Sequence, residues 1–167
     1  DANGGENAPD SQLKYYNKDV TLSSKTPTRS GYAFLGWGIS NSSTSISYYA
    51  GNTYSDNKNI TLYAIWAKTY TITYNANGGA GSMGNTVVNY GTNTAIRSNT
   101  FTKTGYTFAG WTTRTDGVDD GYNWTGWSGT WKYVDGQYGI SNNTLKLYAI
   151  WKDTTPPSMD YGPSTGT

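Results

Sequence analysis

The chain of 167 residues contains no cysteine and no histidine. Without cysteine there is no disulfide, no thiolate metal site and no thiol nucleophile. Without histidine, the Ser-His-Asp and Cys-His catalytic arrangements and imidazole zinc sites are excluded together. Long apolar runs are missing as well. No stretch approaches the roughly 20 residues that cross a bilayer as a helix, so membrane insertion of this segment is not expected. Charge of one sign is equally scarce. Twelve Lys and Arg stand against 11 Asp and Glu, with no basic run. Nucleic acid and anionic membrane surfaces are therefore poor candidates as partners. Glutamate occurs once, at Glu6, and good helix formers are few in general.

What is abundant is glycine (21), tyrosine (16) and tryptophan (7), set among Asn, Thr and Ser. This is a composition of strands and turns. It is organised by repetition. Gly31-Tyr32-Ala33-Phe34-Leu35-Gly36-Trp37 returns as Gly105-Tyr106-Thr107-Phe108-Ala109-Gly110-Trp111, 74 positions later. Ala2-Asn3-Gly4-Gly5 returns as Ala76-Asn77-Gly78-Gly79 at the same spacing, and Leu62-Tyr63-Ala64-Ile65-Trp66 returns as Leu147-Tyr148-Ala149-Ile150-Trp151 after 85. The chain is a tandem duplication whose second copy carries an extra 11 residues late in the unit. The expected division is a first unit at 1–66, a second at 67–151 with an insertion over about 114–140, and a linker at 152–167 with the Pro156-Pro157 pair. The start at Asp1 falls inside a repeat, which is expected of a piece of a longer protein. Units of this size bury a small core, and large aromatic rings compensate. Trp37, Trp66, Trp111 and Trp151 are the expected core tryptophans.

Within the second copy, Thr69–Tyr74 alternates Tyr70, Ile72 and Tyr74 with three threonines, a strand with one apolar face. Asn77-Gly78-Gly79 ends it in a turn. Thr86–Tyr90 reads as the next strand, with Gln12–Asn17 as its first-copy counterpart. The first copy has no equivalent of the opening strand, because that position would precede Asp1. Its sheet is thus expected to have an open edge or to be completed by a strand from elsewhere. The polar stretches Lys18–Ser30 and Thr92–Thr104 show no 3.6-residue apolar period, and Pro27 limits any helix in the first. The closing strands, Ile60–Trp66 and Leu145–Trp151, are apolar on both faces, as central strands are.

The Asn-Ala-Asn-Gly-Gly turn, the Gly-Tyr-x-Phe-x-Gly-Trp phrase and the Leu-Tyr-Ala-Ile-Trp phrase, in this order and twice, resemble the internalin B-type B-repeat, also called the Listeria–Bacteroides repeat. The resemblance covers nearly the whole chain. It implies a strand-dominated α+β fold: two tandem small β-grasp (ubiquitin-like) units, each a mixed sheet around a short helix, with the last strand beside the first. The helix would then lie in the two polar stretches. It also implies a non-catalytic spacer or adhesive module of a secreted or cell-wall-attached, Gram-positive surface protein. The partner would be a protein or glycan on a host or cell surface. No catalytic residue, cofactor or metal comes with the family, and the insertion is not part of its pattern.

The insertion supplies the candidate binding residues. Tyr122, Trp124, Trp127, Trp131 and Tyr133, followed by Tyr138, sit among glycines. Exposed rings of this kind stack on sugars or anchor a protein interface. That makes a carbohydrate-binding module the alternative function. Trp131 and Tyr133 would share a strand face. The competing reading is that the rings cover the small sheet and enlarge its core. Asp116, Asp119 and Asp120 cluster as oxygen ligands for calcium would, but without EF-hand spacing, which favours a solvated turn. Asp119, Asp120 and Asp135 near tryptophans are available for glycoside hydrolysis, but the repeat is too small for an obvious cleft and no acid/base pair is defined. Sequons at Asn41, Asn59, Asn123 and Asn142 follow from the Asn- and Thr-rich composition.

Overall fold

Short polar segments between β-branched and aromatic runs fold into strands and turns throughout. The computed structural model describes residues 1–159 and 162; the rest of the expected linker, 160–161 and 163–167, lies outside the described residues. Nine strands follow in order: β1 (Val20–Thr21), β2 (Tyr32–Gly38), β3 (Thr53–Tyr54), β4 (Tyr63–Asn75), β5 (Thr86–Asn89), β6 (Asn93–Ala95), β7 (Tyr106–Thr112), β8 (Ser128–Thr130) and β9 (Thr144–Asp153). β9 thus runs one residue past the expected start of the linker at 152.

The described residues contain no helix, so the expected α+β class is corrected to a mostly-β one. The stretches assigned to a helix hold short strands instead, β1 in Lys18–Ser30 and β6 in Thr92–Thr104. Their Thr, Ser and Asn side chains compete for backbone hydrogen bonds and offer no apolar stripe to pack.

β4 spans both sequence copies. Its first half pairs antiparallel with β2, from Gly38 against Tyr63 to Tyr32 against Lys68. Its second half pairs antiparallel with β5 on one side and parallel with β9 on the other. β9 in turn pairs antiparallel with β7, giving the order β2-β4-β9-β7 with β5 on β4. The boundary expected at 66/67 is therefore the middle of one uninterrupted strand. The parallel pairing of an opening with a closing strand is seen in the second copy, Thr71 against Thr144 through Asn75 against Tyr148.

The three repeated phrases meet at one point in each copy. The Trp151 indole Nε1 donates to Ala76 O at 2.8 Å, and Asn77 Nδ2 donates to Ala149 O at 2.9 Å. Trp66 donates to Ala2 O at 3.0 Å, and Asn3 to Ala64 O at 2.9 Å. The closing strand and the turn are thus stapled together twice by identical bonds. Phe108 packs edge-on to both Trp111 and Trp151, as Phe34 does to Trp37 and Trp66. Gly79 must be glycine because a Cβ there would lie 2.7 Å from Trp151 Cζ2 and 2.8 Å from Thr102 O.

The copies differ in how well they bury apolar surface. The main core cluster comprises residues of the second copy only, with Tyr70, Ile72 and Tyr74 of β4 against Val88, Ile96, Trp111, Leu145 and Leu147. In the first copy, Ile60 is 41% exposed, whereas its counterpart Leu145 is 0% exposed. Gln12–Asn17, expected as a strand, is irregular, and Leu13, Tyr15 and Tyr16 are exposed. Val87 and Tyr90, the second-copy counterparts of Leu13 and Tyr16, are exposed as well, at 67% and 46%.

Gly79→Ala should destabilise the protein by about 1–3 kcal/mol through overpacking beneath Trp151. Urea unfolding of the variant measures this, and an unchanged midpoint would mean that the turn yields freely.

Candidate functional site

The insertion leaves β7 at Thr112 and returns at β9. Its only strand among the described residues, β8, pairs with β6. Backbone bonds hold it to the same segment on both sides. Ile96 N donates to Trp127 O, Trp131 N to Thr92 O, and Gly91 N to Trp131 O, at 2.7 to 2.9 Å. Trp131–Val134 is irregular, so the strand face expected for Trp131 and Tyr133 is not formed, although their rings touch at 5.1 Å.

The rings form a continuous network, edge-to-face except for the tilted Tyr133–Trp127 pair. Tyr122 meets Tyr138 at 4.5 Å, Tyr138 meets Trp124 and Tyr133, and Tyr133 meets Trp127 and Trp131. Trp131 then contacts Tyr70 of β4 at 6.2 Å, which joins the network to the sheet. Such contacts add about 0.5–1.5 kcal/mol per pair beyond area burial. Trp131 is 0% and Trp124 3% exposed, and both belong to the core cluster. Trp127, Tyr133 and Tyr138 are partly buried against it, and Tyr122 alone of the candidate residues is classed as exposed, at 46%. The structure therefore brings all five candidates together, but with two of the three tryptophans turned inward. The rings enlarge the core. Both buried indoles lack an acceptor at Nε1.

The carboxylates of the insertion are used locally. Asp120 accepts from Thr113 N and Oγ1 at 2.6 Å each and from Tyr122 N at 2.9 Å. Burial alone would raise its pKa, but the bonds from Thr113 and from Tyr122 N together outweigh that and hold it below the ordinary carboxylate value. Trp124 Nε1 adds a weaker pull from outside strict hydrogen-bonding geometry. Asp116 pairs with Arg114 and accepts from Val118 N, and these contacts lower its pKa to about 2. Asp119 bonds Gly121 N in its own turn, and Asp135 accepts from Asn143 N at 2.9 Å. Among the described residues no three His, Cys, Asp or Glu side chains converge as metal ligands.

A second feature lies in the first copy and was not among the candidate residues. A cleft of about 410 Å³ opens beside Ile60 and Leu62, with Leu13, Leu22, Trp37 and Tyr54 also on its walls.

The model of the Listeria-Bacteroides repeat domain matches residues 1–65 and 70–125. The chain belongs to the Listeria-Bacteroides repeat family. The second match stops inside the insertion, where this repeat departs from the family pattern. A candidate membrane protein of Evansella cellulosilytica is similar to this chain, at 26% identity across 99% of it. The chain spans 23% of that protein's length. No solved structure matches the two repeats. Among the described residues, no helix is long and apolar enough to cross a membrane.

Two outcomes follow for the second repeat. Trp131→Ala should cost about 3–5 kcal/mol, the usual loss for a buried tryptophan, while Tyr122→Ala should stay within about 1 kcal/mol of the parent. Chemical denaturation separates these, and equal effects would remove Trp131 from the core. Asp116 and Asp120 are lowered in the folded state, so their contribution is fully present above the unfolded value of about 4. It is lost as pH falls through their folded values. Melting temperature should decline from about pH 4 toward pH 2, and Asp120→Asn should flatten part of that decline in a series of thermal melts.

Proposed function

We propose that this chain is a non-catalytic extracellular repeat module that acts as a stiff spacer and adhesive protein-interaction segment of a bacterial surface or secreted protein. The observation that carries the reading is β4. One strand of 13 residues closes the first copy and opens the second. A hinge between the copies would have to break a strand whose two halves are both paired in the sheet. Small units joined this way transmit position and load along the chain with little slack. Each copy thus corresponds to a repeat that shares an edge with its neighbour, and the parallel opening–closing pair is the part of the β-grasp topology that the reading retains.

Family membership supports the surface assignment, since these repeats are known from surface proteins in general, and the similar Evansella protein is described in membrane terms. The half-exposed rings of the insertion, Tyr122 above all, offer a modest contact face for a protein partner. The carbohydrate-binding alternative is weakened by the inward Trp124 and Trp131, which leave no indole face fully open for stacking.

Residual dipolar couplings test the spacer reading directly. A stiff pair gives one alignment tensor for both copies. Inserting Gly-Gly-Ser between Ala67 and Lys68 should split it into two. Two independent tensors in the unmodified chain would refute the proposal. Titration with oligosaccharides should leave tryptophan fluorescence unchanged.

A further inference from the structure

β4 has two edges, and they are filled differently where the first copy passes into the second. Odd-numbered residues of this stretch face one edge: Thr69 N donates to Gly31 O at 2.9 Å beside β2, and Thr71 N to Asn143 O at 2.8 Å beside β9. Even-numbered residues face the other. There Ala64 N donates to Asp1 O at 3.0 Å, Ala64 O accepts from Asn3 Nδ2 at 2.9 Å, and Lys68 O accepts from Tyr90 N at 2.8 Å. Strand alternation puts Trp66 N and O on this second edge, between Asn3 and Tyr90. Neither has a hydrogen-bond partner there among the described residues. The gap is not the seat of an opening strand. In the second copy the parallel ladder ends at Asn75 against Tyr148, before Trp151, the counterpart of Trp66.

A groove of about 430 Å³ follows the gap, and its two flanks differ in chemistry. Trp66 and Lys68 project to one face of the sheet. Arg29 lies on that face too. Its guanidinium sits 3.9 Å from the centre of the Tyr32 ring, and Tyr32 stands opposite Lys68. Ile65 and Ala67 project to the other face, and Leu35, from the β2 bulge, also lines the groove. No Asp or Glu does. Arg29 and Lys68 are both partly buried, yet the one ion pair among the described residues is Arg114–Asp116. Two partly desolvated cations thus share a groove with an open backbone donor and acceptor and with no counter-charge. A carboxylate placed there gains charge-assisted hydrogen bonds that the chain itself does not supply.

We propose that this gap docks a three-residue extended segment of a partner protein, with an acidic residue between two apolar ones. The acidic residue stands opposite Trp66 in antiparallel sense, so that its N–H and C=O meet Trp66 O and N. Directly opposed residues share a face, which brings its carboxylate to the side of Arg29 and Lys68. Its two neighbours project to the other face, toward Ile65 and Ala67. The segment is short because Asn3 and Tyr90 occupy the edge on either side. The backbone pair at Trp66 selects a peptide over a sugar acid, which has no matched N–H and C=O to offer. This inference rests on the protein-interaction part of the proposed function and names the partner's chemistry; the stiffness of the spacer is independent of it.

The test titrates the full chain with the peptide Gly-Ser-Val-Asp-Val-Ser-Gly, capped at both ends, and follows backbone amide shifts. Saturable shifts are expected at Trp66, Lys68 and Tyr90, with a dissociation constant on the order of 1 mM for so small a contact. Exchange of the Trp66 amide with solvent should slow on the order of fivefold at saturation. The same peptide with Asn for Asp should bind about two- to fivefold more weakly, the usual range for a part-exposed ion pair. In the double variant Arg29→Gln, Lys68→Gln, the two peptides should bind alike. No shift at Trp66 would overturn the docking site. Equal binding of the Asp and Asn peptides to the parent chain would overturn the acidic recognition, whether or not the variant folds. Equal shifts from sodium acetate at the same concentration would overturn the strand pairing and leave a general carboxylate pocket. Failure of the peptide in a chain that still gives one alignment tensor removes the groove and leaves the spacer standing.

Discussion

The structure depends on the double pairing of β4. A single strand cannot be shifted in register on one side without being shifted on the other, because its side-chain alternation is common to both. Tyr70, Ile72 and Tyr74 must face the second core while Ala64 and Ile65 are buried in the first copy. The rest of the architecture is placed by that strand. β2 is laid on its first half, β5 and β9 on its second, and β7 on β9. The insertion reaches the sheet through the contact of Trp131 with Tyr70.

Around this strand, each unit is closed by a small set of directional bonds. An indole and a carboxamide tie the closing strand to the Ala-Asn-Gly-Gly turn, and a glycine lets the tryptophan lie against the turn backbone. This explains why three separate phrases recur together: the staple uses a residue from each of two of them, and the phenylalanine of the third packs against its tryptophan. The two copies share the staple but not the core.

Much of the fold was legible in the sequence, and the failures have physical causes. The strands of β2, β4, β7 and β9 were readable from alternation and from apolar runs bounded by glycine. The staple was not, since hydrogen bonds between residues some 70 positions apart leave no periodic trace. The helix implied by family resemblance is absent among the described residues. In those stretches Thr, Ser and Asn follow their own local hydrogen-bonding preference, and no apolar stripe opposes it. Gln12–Asn17 looked like a strand in isolation, but strand formation is not a local property, and no described strand pairs with this segment. The candidate rings could be picked out as a group, because aromatic density is visible in composition. Their direction was not, because the irregular backbone of Trp131–Val134 has no period from which to assign a face.

The sequence by itself determined the duplication, the position of every repeated phrase, and the exclusion of thiol and imidazole chemistry. These are properties of order and composition. Only the tertiary structure decided that the repeats share β4 rather than a linker, and that Trp124 and Trp131 turn inward. Each of these depends on which distant segments meet. Pairing and burial are contacts between residues far apart in the chain, and the order of the chain does not record them.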